Sequence, residues 1–442
     1  MTIKRDRLLQ QLIDAKHNDF IKIVSGIRRC GKSFLLFTLF KNHLLKSGVH
    51  KDHIIEIDLE TTTAKPLLNP IALLNHIKQR IKKDGRWTYI LIDEIQNCQK
   101  VLPPGTDLAL IHPDDRESAY ATFYSVLSEL RTTPRVDVYV TGSNSKMLIS
   151  DVATVFRGRG QSIQVSPLSF AEFMPLRKGR DSQEIFDEYL TFGGLPKCVL
   201  AKTDAERKAY LADLYRTIYL RDIIERNKIK NPALMESLID VIMSSVGGLT
   251  NPNKITDTIN TVTGTKTNAV TISSYLGCLT NAFLISKANR YDVKGRRYLE
   301  SPVKYYSADP GLRNARINFR QNEPTHLMEN VIYCELLRRG YSVDVGVVQH
   351  ETRVNGKHEI RQCEIDFVVN KADERIYIQS AYAIPDPEKR SQETFSLRHS
   401  GDSFRKVVIT GNLHEKTWRD NDGITFIGIM PFLLDPMSLK TL

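Results

Sequence analysis

The chain has 442 residues, 41% hydrophobic and 26% charged, with a formal charge of +11 and a pI near 9.2. That length is too great for one ordinary core and points to two or three domains, and the composition is that of a soluble globular protein. The six cysteines stand singly with no CxxC pair, which argues against a zinc site or a disulfide framework and for a reducing, cytoplasmic setting.

The opening stretch, MTIKRDRLLQQLIDAKHND, is charged throughout and has no apolar core of a signal peptide. No apolar stretch approaches the roughly 18 residues that span a membrane, so no membrane partner is expected. The basic balance fits a polyanion such as nucleic acid, and equally a basic solvated surface around a nucleotide pocket.

Through the first third, short β-branched runs alternate with helical patterns. IKIVS, HIIEIDL, YILID, VDVYVTG and SIQV read as buried strands, and FLLFTLFKNHLL, PIALLNHIKQRIKKD and AYATFYSVLSELRTT as helices between them. Such alternation predicts an α/β fold whose parallel sheet is covered on both faces. Residues 97–118, rich in Pro, Gly and Asp, interrupt it as a surface insertion.

After the first of these strands comes Gly26-Ile27-Arg28-Arg29-Cys30-Gly31-Lys32-Ser33, a GxxxxGKS sequence, with Phe34 opening a helix. Backbone N–H groups of such a loop surround a β-phosphate, the lysine bridges β- and γ-phosphates, and the serine hydroxyl holds Mg²⁺. The bland alternative is a glycine-rich turn. Arg28 and Arg29 stabilise the loop or lie near phosphate, with no catalytic role. Some 60 residues on, Tyr89-Ile90-Leu91-Ile92-Asp93-Glu94 is an apolar strand ending in two carboxylates. Asp93 then orients Mg²⁺ through its water shell and Glu94 polarises the attacking water. An adjacent glutamate marks the ATPase branch with an extra strand between the two motifs, which VDVYVTG would supply. At its tip, Ser143 or Asn144 reaches the γ-phosphate or the lytic water, or simply caps a helix over 146–155. Arg157 and Arg159 are candidate arginine fingers for a neighbouring subunit of a homo-oligomer, or ordinary salt-bridge partners. No NKxD-type guanine motif follows, which favours ATP.

GIRRCGKS, ILIDEIQ, TGSNSKM, VSPLSFAEF and YLTFGGLPKCV together resemble a large bacterial and archaeal group of AAA-type P-loop ATPases with a C-terminal domain of unknown function. The resemblance runs from Ile3 to about Gly428. It implies an ATPase core, a winged-helix segment and a restriction-endonuclease-like C-terminal domain. The helical pattern from Phe170 to Lys230 and the boundary at Asn231-Pro232 divide the chain into core (1–169), helical lid (170–230), winged-helix-like (231–310) and restriction-endonuclease-like (311–442) parts.

In the winged-helix reading, 268–284 is the recognition helix and 287–298 the wing. Lys287, Arg290, Lys294, Arg296 and Arg297 cluster there beside Tyr291 and Tyr298, as phosphate contacts would. The helix itself is nearly uncharged, and winged helices also serve as protein-interaction or oligomerisation lids. In the nuclease-like reading, Glu329 and Asp366 take the acidic places of a Glu, Asp, Glu-x-Lys set on Mg²⁺. The third motif instead reads Gln379-Ser380-Ala381, which lacks the carboxylate and the lysine, so a degenerate, inactive centre is expected; a lysine could migrate in from Lys389, though nothing requires it. Three functions follow: Mg²⁺-dependent ATP hydrolysis coupled to rearrangement of the other domains and acting on DNA; a nucleotide-dependent binding switch with negligible turnover; or an ATP-gated Mg²⁺ nuclease.

Overall fold

The computed structural model describes residues 3–143, 159–264, 266–320, 323–354 and 357–440. Two compact units emerge. The first comprises residues 1–166 with 281–283, the second 167–280 with 284–442.

In the first unit, α1 (Asp6–Asp14) precedes β1 (Ile21–Ser25). A continuous helical run, α2, follows as Lys32–Phe34, a π-helical Leu35–Phe40 and Lys41–Lys46. Then come β2 (Ile54–Asp58), α3 (Pro70–Arg80), β3 (Thr88–Asp93), α4 (Phe123–Thr132), β4 (Val136–Gly142) and β5 (Gly160–Gln164). Among the described residues these strands make one parallel sheet in the order β2-β3-β4-β1-β5. β1, β3 and β4 are buried at every position, as central strands covered on both faces must be, whereas the edge strand β2 exposes Glu56 to pair with Lys41 at 2.6 Å. Asn69 starts α3 by accepting the Ile71 N–H at 2.9 Å ahead of Pro70. Leu73 and Ile77 of that helix then pack with Leu127 and Leu130 of α4 and with Ile90 and Ile92 of β3. The extra strand expected between the two motifs is therefore present as β4, and it sets the C-terminal ends of β1, β4 and β3 side by side.

Charge is also buried in this sheet. Lys22, in mid-β1, pairs with Asp137 of β4, and the Tyr139 hydroxyl donates to the same carboxylate at 3.0 Å. An ammonium in a closed strand is tolerated only because that partner lies one strand away.

The second unit contains the helices α5 (Ser182–Phe192), α6 (Asp204–Asp213), α7 (Pro232–Ser244), α8 (Pro252–Thr263) and α9 (Ala269–Asn281, the last residue excepted). Further on come α10 (Pro310–Arg316), α11 (Pro324–Arg338) and α12 (Pro387–Arg398). Its strands are β6 (Leu249–Thr250), β7 (Ile285–Asp292), β8 (Arg297–Ser307), β9 (Ser342–Val354), β10 (Lys357–Lys371), β11 (Glu374–Ala381), β12 (Arg405–Thr410), β13 (Trp418–Arg419) and β14 (Thr425–Gly428). They form one mixed sheet, β13-β14-β12-β11-β10-β9-β7-β8-β6. The hairpin expected as a wing is part of this sheet: β8 pairs antiparallel on one side of β7, and β9 pairs parallel with Arg290–Asp292 on the other. Three helices before a basic hairpin resemble a winged helix in sequence; here the hairpin also continues into a larger sheet through Arg290–Asp292.

The Gly193-Gly194 punctuation has a physical cause. Asp309 is fully buried and accepts N–H bonds from Gly194 at 2.7 Å and Leu312 at 3.2 Å, so it caps α10 and holds the glycine turn at once. Gly193 has φ +69°, and a Cβ there would lie 1.9 Å from Asp309 Oδ1. Burial pushes the Asp309 carboxyl up to about 6, against the pull of those N–H groups. The folded chain therefore holds this proton more tightly than the unfolded one. Its contribution is full below the ordinary aspartate pKa and is lost as pH rises through about 6. Urea midpoints of wild type and Asp309→Asn, compared between pH 4 and 7, should shift in the variant's favour by up to roughly 3 kcal/mol as pH rises. A difference independent of pH would contradict this.

Candidate nucleotide site

β1 ends at Ser25, and the loop from Gly26 to Gly31 leads into α2, whose first free N–H groups face the loop. Gly26 sits at φ +149°, and a Cβ on it would meet Val165 O at 2.1 Å, so no side chain fits where the loop leaves the strand. Ile27 and Cys30 are buried and anchor the loop from beneath. Cys30 Sγ donates to Val165 O at 3.2 Å, and burial raises its pKa, so it is a packing thiol and not a nucleophile. Arg28 reaches out to Glu60 at 2.5 Å, and Arg29 is exposed in the left-handed region at φ +65°.

Lys32 is buried, with Nζ 3.2 Å from Gly26 O and 3.4 Å from Ile27 O, so its ammonium lies within the curl of its own loop. Ser33 Oγ donates to Asp93 Oδ2 at 2.6 Å, joining the two motifs directly. That hydroxyl and carboxylate are the hard oxygen donors that Mg²⁺ takes beside phosphate. Burial pushes the Asp93 carboxyl up, against the pull of its Ser33 and Thr141 hydrogen bonds.

Glu94 follows immediately, at φ 50°, a strained conformation for a non-glycine residue that turns the chain at the C-terminal end of β3. Its Oε1 is 3.7 Å from Lys32 Nζ, and its Oε2 accepts from Ser143 Oγ at 3.2 Å and from Gln96 Nε2. Its own N–H donates to Thr141 Oγ1 at 2.9 Å, while the Thr141 hydroxyl donates to Asp93 Oδ1. Thr141 therefore ties both acidic residues to β4.

Lys32, Ser33, Asp93, Glu94 and Ser143 thus come together. Thr141 and Gln96 are additions that the motifs do not name. Thr141 carries a signal nonetheless: Asp137, Tyr139 and Thr141 alternate along β4 and so share one face, and Ser143 follows in the same spacing just past it. Asn144 and Arg157 lie outside the described residues. Arg159 does not join this site: its carbonyl accepts from Ile21 N at 3.2 Å, at the start of β1, whereas the loop leaves from the end of that strand.

The basic hairpin is partly spent internally. Arg290 is buried with Nη2 3.2 Å from Gln362 Oε1, Lys294 Nζ donates to Gln349 O at 2.8 Å, and Arg297 lies 3.8 Å from Asp292. Lys287 and Arg296 are exposed. No helix among the described residues is long and apolar enough to cross a membrane.

The model of an AAA domain matches residues 18–174, which contain every residue of this site, and that of a domain of unknown function (DUF8612) matches 183–323. An uncharacterized protein of Haemophilus influenzae is 34% identical over 437 residues, 98% of each chain. Uncharacterized protein MJ1544 of Methanocaldococcus jannaschii is 25% identical over 385 residues, 84% of this chain and 77% of that one. Among solved structures, the Walker-type ATPase PABY2304 of Pyrococcus abyssi superposes with a TM-score of 0.48 at 14% identity, covering 72% of this chain and 96% of that one. Cdc6p of Pyrobaculum aerophilum gives 0.25 at 14%, covering 74% and 94%. Those two superpositions are too loose to bear on function. Matched along its whole length, the chain belongs to one family with the Haemophilus influenzae protein, and its first unit is an AAA-type P-loop NTPase domain.

Proposed function

We propose that the protein binds ATP with Mg²⁺ and hydrolyses it, and that turnover rearranges its second unit. The observation that carries this reading is the 2.6 Å contact between Ser33 Oγ and Asp93 Oδ2, beside a Lys32 ammonium 3.7 Å from Glu94. In it, backbone N–H groups of the Gly26–Phe34 segment, from Ile27, Arg28, Arg29, Cys30 and Gly31 onward, surround the phosphates, and Lys32 bridges the outer two. Ser33 and Asp93 would hold Mg²⁺, which would supply charge neutralisation on the phosphates. Glu94 takes the proton of the attacking water, and Ser143 and Gln96 fix its carboxylate in place.

Nucleic acid as the partner is the finer part of the proposal. The net charge of +11 supports it, together with the exposed Lys287 and Arg296; the internal bonds of Arg290 and Lys294 weaken the case for the hairpin itself. Phosphate release from Mg·ATP, with and without duplex or single-stranded DNA, tests both parts. The expected result is measurable turnover that DNA raises by about fivefold or more, an increase that declines as salt rises. Turnover without any nucleic-acid effect would remove the partner and leave the ATPase. No turnover under any condition would favour the binding switch.

A further inference from the structure

β8 carries Lys304 within a run that is buried from Val303 to Ser307. A lysine there needs compensation, and three carboxylates supply it. Its Nζ lies 3.0 Å from Glu329 Oε1 on α11, 2.6 Å from Glu364 Oε1 and 3.8 Å from Asp366 Oδ1, both on β10. Tyr306, two residues along the same face of β8, donates its hydroxyl to Glu329 Oε1 at 2.7 Å. The Ser380 N–H on β11 donates to Asp366 Oδ2 at 2.8 Å. Burial works against the charge on Lys304, but Glu329, Asp366 and Glu364 outweigh it and raise its pKa. Burial, and after it Glu329, drive the Asp366 carboxyl well above its ordinary range.

The likeness of this unit's element order to restriction-endonuclease-like folds implies Mg²⁺ held by Glu329, Asp366 and a third acidic residue. The residues present do not fit that ion. Position 379 is a glutamine whose side-chain oxygen accepts the Asp366 N–H at 3.4 Å. The oxygens that a divalent cation would bridge already converge on an ammonium, and an ion bound to Glu329 Oε1 at about 2–2.5 Å would sit against that like charge. Among the described residues no group of three His, Cys, Asp or Glu side chains is arranged to hold a metal ion. Lys389, the lysine that sequence offers, instead pairs with Glu393 at 2.7 Å.

We infer that Lys304 is the resident cation of this acidic centre, so that the second unit takes no divalent ion there and cleaves no nucleic acid through one. The inference concerns a different unit from the nucleotide site and stands or falls independently of ATP hydrolysis.

The test is Mn²⁺ binding by the full chain, followed by paramagnetic resonance at up to about 1 mM free ion, a range that includes weak carboxylate sites. Every arm carries Asp93→Asn so that the first unit adds no ion. The parent chain should bind no Mn²⁺ that Glu329→Gln or Asp366→Asn removes. Lys304→Met, which is one atom shorter, unbranched and uncharged, should gain close to one Mn²⁺ per chain, with affinity at least tenfold above the parent's, and Asp366→Asn added to it should abolish the gain. Mn²⁺ bound by the parent and lost in Glu329→Gln or Asp366→Asn overturns the inference, and so does a folded Lys304→Met that gains no ion. The parent arm decides even where Lys304→Met does not fold.

Discussion

Glu94→Gln lowers steady-state ATP hydrolysis by roughly 10²-fold or more while leaving Mg·ATP binding intact. The substitution keeps the side chain's length and one oxygen, so the hydrogen bond from Ser143 Oγ at 3.2 Å has an acceptor and the turn at Asp93–Glu94 is undisturbed. What disappears is the group that takes a proton from water, and general-base catalysis contributes about 10²–10⁴-fold. The attraction to Lys32, 3.7 Å away, disappears too, which frees that ammonium for phosphate. Phosphate release together with an equilibrium titration of a fluorescent ATP analogue separates the two effects. A variant that hydrolyses at the wild-type rate would show that Glu94 is not the base.

Lys32→Ala has the second large effect, and on the other quantity. Its ammonium lies within the curl of the loop, against the Gly26 and Ile27 carbonyls. A triphosphate entering the loop replaces those carbonyls as its partners. Charge-assisted hydrogen bonds are worth about 1.5–3 kcal/mol each, so losing contacts to two phosphates weakens Mg·ATP binding by roughly 10²-fold or more. The same titration measures it, with circular dichroism confirming that the chain is folded. Wild-type affinity in Lys32→Ala would place the nucleotide elsewhere.

Most of the first unit was legible in the residues because parallel strands buried on both faces leave continuous apolar runs. YILID is such a run up to its closing aspartate, IKIVS and VDVYVTG are nearly so with one charged residue inside each, and each is a strand. The loop and acidic pair were legible because each is a local sequence whose chemistry depends on spacing. Contacts between distant side chains were not. Lys22 meets Asp137 across 115 positions, and nothing in IKIVS announces the partner. Gln96 holding Glu94 depends on how one short turn closes after β3. Arg290 reads as a phosphate contact until β7 is seen with a neighbour on each edge. Lys304, in PVKYYSA, did carry a hint, a charge within a buried-strand pattern, but its three carboxylates come from two other elements.

A crystal structure of the Glu94→Gln chain grown with ATP and Mg²⁺ tests the central claim most directly. The expected density is one triphosphate inside the curl of residues 26–33, its outer phosphate between Lys32 and position 94, with Mg²⁺ on Ser33 Oγ and a water held by Asp93. A triphosphate bound away from Asp93, or a loop that stays filled by Lys32 at saturating nucleotide, would contradict it.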